Sequence, residues 1–349
     1  MVDASGSEIG FVDAPSAASF RQPVFAADGS ILVAETGPAG DALVRLAGDD
    51  LRELSRSEFA SPPFYYHPSK GVPFRSTSLR NDEAGGGLVI EQVSDDGSVD
   101  GVARVAPFYS SWEPEGDRMA THVATSRLEI RSPDGSVEVV VDGTGVYQAP
   151  VWTPRGVLTL RTIDGEQRLS RWTEAGIEDL AVVAGPVQFV ARGQQIAVQS
   201  LSEPAGGVQT SIRAQGLPEI SIGRLVVFDA ASGEQETVTP DVALYFEWDP
   251  SGERLLYATI DDASTASIRW SVWADGSTTD FGTFQANPVW VRDTVPFFDQ
   301  YVQSAPLWSL DGTAFAYPAV DSGNPIVVIQ PLDGESVSVA DAGWVTWSR

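Results

Sequence analysis

The chain has 349 residues, 48 acidic and 22 basic side chains, two histidines and no cysteine, for a formal charge of −26. Without cysteine there is no disulfide framework and no zinc finger, and so acidic a balance excludes a broad nucleic-acid footprint. An apolar fraction of 42%, with 10 Trp, 8 Tyr and 15 Phe, excludes intrinsic disorder and supplies a large core.

The first segment, Met1–Phe20, has neither the basic n-region nor the apolar stretch of a signal peptide. Read as a native start, Met1 places the chain in the cytoplasm; an export signal removed ahead of it would place the chain in the cell envelope or outside the cell. No run approaches the ~18 apolar residues of a membrane span. Within this segment Glu8–Val12 reads as a short strand after Asp3-Ala-Ser-Gly6.

From there a pattern recurs. An aromatic residue is followed four positions later by glycine, often with proline between: Phe25-Ala-Ala-Asp-Gly29, Trp112-Glu-Pro-Glu-Gly116, Trp152-Thr-Pro-Arg-Gly156, Phe189-Val-Ala-Arg-Gly193, Trp248-Asp-Pro-Ser-Gly252 and Trp308-Ser-Leu-Asp-Gly312. Tyr66-His-Pro-Ser-Lys-Gly71 carries one extra residue. Short apolar runs follow, such as Ile31–Ala34, Met119–Val123 and Leu255–Ala258. Each pentad is therefore a turn between two strands.

A second pattern lies between the pentads. Pairs of β-rich runs meet at Asp-Gly or a similar tight turn, where both residues tolerate positive φ. Leu88–Gln92 turns at Asp96-Gly97, Arg127–Arg131 at Asp134-Gly135, Ile268–Trp273 at Asp275-Gly276, and Ile326–Gln330 at Asp333-Gly334. Each unit is thus four strands, recurring every 37 to 60 residues.

Four short antiparallel strands at this period predict an all-β fold, a β-propeller. Stacking blades around an axis buries faces that a lone four-stranded sheet would expose. Seven full blades are expected, or eight positions if the terminal strands form a shared blade. The chain ends Gly343-Trp-Val-Thr-Trp-Ser-Arg349, another first strand with its aromatic at Trp347. The N- and C-terminal strands are expected to close the ring. The whole of 1–349 reads as a single domain and a monomeric ring.

The Trp-x-Pro-x-Gly turn followed by an apolar strand, best seen at Trp248–Ala258 and Trp308–Tyr317, resembles the repeat of the TolB-like, WD40-like (PD40) propellers. The resemblance implies the fold. For function it implies a range: periplasmic protein-interaction parts, gating domains of serine peptidases and parts of surface proteins.

Three connections exceed the unit: 74–87, 200–222 and 284–303. By strand alternation all three emerge on one face, while the opposite face carries tight turns. Loops carry function more often than scaffold does, so the inserted face is the candidate binding surface. The richest insertion holds Trp290, Arg292, Asp293, Phe297, Phe298, Asp299 and Tyr301. Aromatics with an arginine are the composition of interface hot spots. Arg213 in 200–222 and Arg80 in 74–87 complete the candidate partner-binding set. A second reading of the same insertion has its aromatics tucked back onto the ring to plug the channel mouth.

The chemistry is sparse. His67 is expected in a turn on the plain face and His122 near a strand end towards the other, too far apart for a shared metal. No Gly-x-Ser-x-Gly, His-Glu-x-x-His or phosphate-binding loop is present. No catalytic residue and no cofactor is expected; a Ca²⁺ site of carboxylates and carbonyls has no Asp-x-Asp-x-Asp-Gly loop to support it. The favoured function is a non-catalytic scaffold for a protein partner, a basic one given the charge. The alternative is a carbohydrate-active enzyme or lectin-like binder using Asp293, Asp299, Glu247 and Trp290 or Tyr301 at the mouth of the channel.

Overall fold

The computed structural model describes residues 17–340, except 49, 64, 70–74, 83–86, 105–107, 125–126, 145–147, 184, 186 and 201–223, together with 343–347. Within them the chain forms seven antiparallel sheets, each drawn from continuous sequence. Blade 1 is β1 (Ser19–Phe25), β2 (Ile31–Gly37), β3 (Gly40–Leu46) and β4 (Glu53–Phe59). Blade 2 is β5 (Tyr65–Pro68), β6 (Arg75–Asp82), β7 (Gly87–Ser94) and β8 (Val99–Arg104). Blade 3 is β9 (Phe108–Trp112), β10 (Met119–Val123), β11 (Arg127–Arg131) and β12 (Val137–Asp142). Blade 4 is β13 (Val151–Thr153), β14 (Gly156–Ile163), β15 (Glu166–Thr173) and β16 (Gly176–Val183). Blade 5 is β17 (Val187–Arg192), β18 (Gln195–Ser200), β19 (Leu225–Asp229) and β20 (Gln235–Thr239). Blade 6 is β21 (Ala243–Trp248), β22 (Leu255–Asp262), β23 (Ser267–Ala274) and β24 (Ser277–Gln285). Blade 7 is β25 (Ala314–Asp321), β26 (Asn324–Pro331) and β27 (Val337–Ala340), with its first strand reduced to a bridge between Trp308 and Phe315.

First strands of successive blades touch one another, β1 with β5 and β9 with β13, β17 and β21 in turn, so they surround the axis. The fold is the expected seven-bladed propeller. Middle strands bury both faces, as in β22, and last strands such as β24 are largely exposed. The turns behave as their residues dictate. Gly135 and Gly276 take φ of 82° and 74°, which glycine adopts without strain. Aspartates hold the turns: the Asp249 carboxylate accepts from the N–H groups of Gly252, Glu253 and Arg254 at 2.8–3.1 Å. Asp28, Asp134 and Asp311 do the same two residues on.

Two of the pentad tryptophans stitch blade to blade. Trp112 Nε1 donates to His67 O of blade 2 at 2.8 Å, and Trp308 Nε1 to Glu247 O of blade 6 at 3.2 Å. Trp347 repeats the bond one step further, to Leu307 O at 2.7 Å.

Several sequence expectations change. Segment 74–87 is not an inserted connection: Arg75–Asp82 is the second strand of blade 2, hidden from a hydrophobic pattern by its polar sequence. The strand preceding the third insertion runs on to Gln285, so that insertion starts at Ala286 rather than 284. His67 lies in β5 and not in a turn, and is buried. His122 is fully buried in β10, its Nε2 3.0 Å from Thr144 O, and burial pushes its pKa down. Residues 343–347 form no strand. Of the insertion expected at 200–222, Ser200 ends β18; the rest of it, with Arg213, and the expected partner strand at Glu8–Val12 lie outside the described residues.

Candidate functional site

The connection from blade 6 to blade 7 folds into two short helices, α1 (Pro288–Asp293) and α2 (Phe298–Tyr301), joined by a 3₁₀ turn at Val295–Phe297. Asn287 caps α1, its Oδ1 accepting from Val289 N at 2.9 Å, and Pro288 sits at the first helical position.

This segment enters the channel and binds the first strand of blade after blade. The Gln22 amide of β1 donates to the Tyr301 hydroxyl at 3.2 Å. The Tyr301 ring meets Tyr65 of β5 edge-on at 5.3 Å. Gln300 behaves like a missing strand residue: its Oε1 accepts from Ser110 N, and its Nε2 donates to Ser110 O, both at 2.8 Å. Gln148, just before β13, donates to the Asp299 carboxylate at 2.6 Å, and Gln303 donates to Pro150 O at 3.0 Å. Phe298 packs between Tyr245 and Phe246 of β21, at 5.2 and 4.7 Å. Trp290 lies against Tyr245 and Trp270 at 5.8 and 6.1 Å. One segment therefore holds first strands of four blades and the lead-in to a fifth.

The candidate residues divide accordingly. Trp290, Phe298 and Asp299 are buried and turned to the ring. Arg292, Asp293, Phe297 and Tyr301 line a cavity of about 760 Å³ between the plug and blades 1 and 2. Arg292 and Asp293 pair with each other at 2.5 and 2.7 Å. Arg80 is elsewhere engaged: it grips Glu91 with bonds of 2.8 and 2.7 Å, its guanidinium 5.4 Å from the centre of the Phe59 ring. That is a correction of its place in a loop.

Two buried carboxyls frame the plug. Burial pushes Asp299 up to about 7, against the hydrogen bonds it accepts from Gln300 N and the Gln148 side chain. Burial likewise pushes Glu247 up to about 8, although it accepts from Leu307 N and the Tyr245 hydroxyl. Of the three carboxylates named for acid–base chemistry, only Asp293 lines the cavity. Glu247 borders a second cavity of about 760 Å³ on the opposite face, among Trp112, Trp152, Trp248, Trp308 and Trp347. Turn periodicity marked these tryptophans but gave no sign of the hollow they border. Among the described residues no group of three or more His, Asp or Glu side chains is arranged to hold a metal, and no helix is long and apolar enough to cross a membrane.

No family model and no curated protein matches the chain. Solved structures do. The β-propeller domain of the Trilobed protease from Pyrococcus furiosus superposes with a TM-score of 0.57 at 10% identity, over 93% of this chain and 98% of that one. A crystal structure of the eukaryotic initiation factor gives 0.56 at 10% identity, over 95% and 91%. TolB from Acinetobacter baumannii stands further off, at 0.43 and 10% identity over 94% and 79%. Identities at this level speak for the fold alone: the chain is a β-propeller.

Proposed function

We propose that this propeller is a non-catalytic scaffold, one domain and one monomeric ring without a cofactor, that binds a basic protein partner through the plugged face. Its Trp-x-Pro-x-Gly turns support placing it with the TolB-like, PD40 propellers. The observation that carries the reading is the division of labour within the insertion. Trp290 and Phe298 are spent on the ring, yet Phe297, Val289 and Val291 of the same segment stay 44%, 38% and 38% exposed. Apolar side chains held outward on a rigid, anchored segment beside a cavity form the core of a contact surface. The net charge of −26 favours a basic partner and fast encounter at low salt.

The plug cannot simply be deleted to test this, because it holds the ring. The better probe is Phe297→Asp, which leaves the buried anchors Trp290 and Phe298 in place. Cross-linking from position 297 in the native host would recover the partner, and affinity would then be measured with both proteins purified. At least a tenfold loss for Phe297→Asp, with wild-type affinity falling as salt rises, is the expected outcome. Equal affinity for variant and wild type would sink the reading.

A further inference from the structure

The cavity beneath α1 has a chemistry that protein binding does not require. Its walls include Phe20, Pro62, Tyr65, Leu88, Phe297 and Trp344. Its volume, about 760 Å³, is that of a small-molecule site rather than a seat for one side chain. One cation borders it without compensation. The Arg21 side chain is exposed and has no ion pair or hydrogen bond among the described residues. Many arginines elsewhere in this acidic chain are taken up by carboxylates, Arg56 by Glu35, Arg80 by Glu91, Arg118 by Glu113, Arg168 by Asp179 and Arg254 by Asp249, while Arg75 and Arg192 bind backbone carbonyls. At the same cavity Arg292 and Asp293 cancel each other.

The backbone around Arg21 is irregular in a way that serves the cavity. The β1–β2 register slips between Arg21 and Val24. Gln22 there takes φ of 50°, a left-handed conformation unfavourable for any residue but glycine. The Tyr66 hydroxyl fixes the irregularity, donating to the Arg21 carbonyl at 2.9 Å and accepting from Ala34 N at 3.1 Å. The Gln22 amide ties it to the plug through Tyr301. Bulges of this kind re-aim side chains and cluster at functional sites.

We propose that the cavity binds a small apolar carboxylic acid, its body against Phe20, Tyr65, Phe297 and Trp344 and its carboxylate paired with the Arg21 guanidinium. An aromatic-walled hollow rewards the apolar body. A planar guanidinium with free donors matches a carboxylate two bonds at a time. The proposal does not depend on the protein partner.

The test is calorimetric titration of the full chain with 2-naphthoate, its uncharged counterpart 2-naphthamide, and a short peptide ending in phenylalanine with a free carboxyl. Saturable binding of the acid, at least tenfold tighter than the amide, is the expected result. Arg21→Gln should lose at least tenfold for the acid and leave the amide unchanged, with an unaltered melting temperature confirming the fold. Equal affinities for acid and amide, an Arg21→Gln variant that binds the acid as wild type does, or no saturable binding at millimolar acid would each overturn it. A peptide binding more than tenfold tighter than the acid would also overturn it, assigning the cavity to a partner's chain end.

Discussion

The seam between blades 6 and 7 and the seam between blades 7 and 1 close the same ring by different means. At the first, Trp270 is surrounded: Phe284 stacks on it at 5.7 Å, Tyr317 and Phe315 stand at 5.5 and 5.9 Å, and Trp290 of the plug at 6.1 Å. One cluster of buried side chains runs unbroken from blade 5 through blade 7. At the second, the apolar faces of the described residues form separate clusters. Ile31, Val33, Val44 and Leu46 of blade 1 cluster with Phe20 and Phe25, whereas Ala316, Val327 and Ile329 of blade 7 cluster with Val345 and Trp347 of the tail. Because each blade is built from continuous chain, no described strand is exchanged to lock this seam. The tail packs it, and the plug spans it from within. One seam is a core, and the other is an assembly of separate pieces.

The sharpest way to test that contrast is to damage each seam in turn. Trp270→Ala empties the centre of the firm seam and should cost about 3–5 kcal/mol of global stability in denaturant titrations. A loss below 1 kcal/mol would mean that the aromatic cluster does not hold blades 6 and 7. Gln300→Ala leaves Ser110 N and O without partners in a buried place, and should cost about 1–3 kcal/mol. If stability were unchanged, the plug would be an ornament of the ring rather than its tie.

The plug also carries a pH signature. Asp299 and Glu247 titrate at about 7 and about 8 in the folded chain and near 4 when unfolded. The folded state therefore binds more protons between those values. Stability should be greatest near pH 4 and fall as pH rises to 8, by up to about 1.4 kcal/mol per pH unit for each group. Asp299→Asn should flatten the part below pH 7. A melting temperature that stays level or climbs across this range would contradict the sign.

The smallest effect belongs to the loose seam. Trp347→Ala removes one hydrogen bond and a half-buried indole, and should cost about 1 kcal/mol. Its mark should be local: faster amide exchange in β1 and β25, with β21–β23 unchanged. Equal acceleration in all blades would show that the two seams are coupled after all.

Much of this architecture is legible in the sequence because a propeller repeats its turn chemistry. Trp112, Trp248 and Trp308 mark strand ends in register, and Asp134-Gly135 and Asp275-Gly276 mark hairpins. The strand Arg75–Asp82 escaped because its neighbours, not its own hydrophobicity, bury it: Ser76, Thr77 and Ser78 are almost wholly enclosed. The insertion at Trp290 stands out by length and aromatic content. Which of its side chains face inward depends on distant strands of several blades, and no local pattern encodes that. Arg21 gave no signal at all, since its distinction is the absence of a partner among the described residues. The charge of −26 is partly explained by the turns, where carboxylates such as Asp28, Asp249 and Asp311 replace missing backbone acceptors.

The plug's position along the chain has a consequence for how the molecule is made. Gln22 must wait for Tyr301, 279 residues later, and Ser110 for Gln300, 190 residues later. On a ribosome, six blades emerge before the piece that fits their centre. Until then Tyr65 and Phe246 border an unfilled axis, and the nascent chain is an arc rather than a ring. Ring closure thus waits for the plug, and a truncated product ending before Ala286 should remain exposed to proteases however many blades it has.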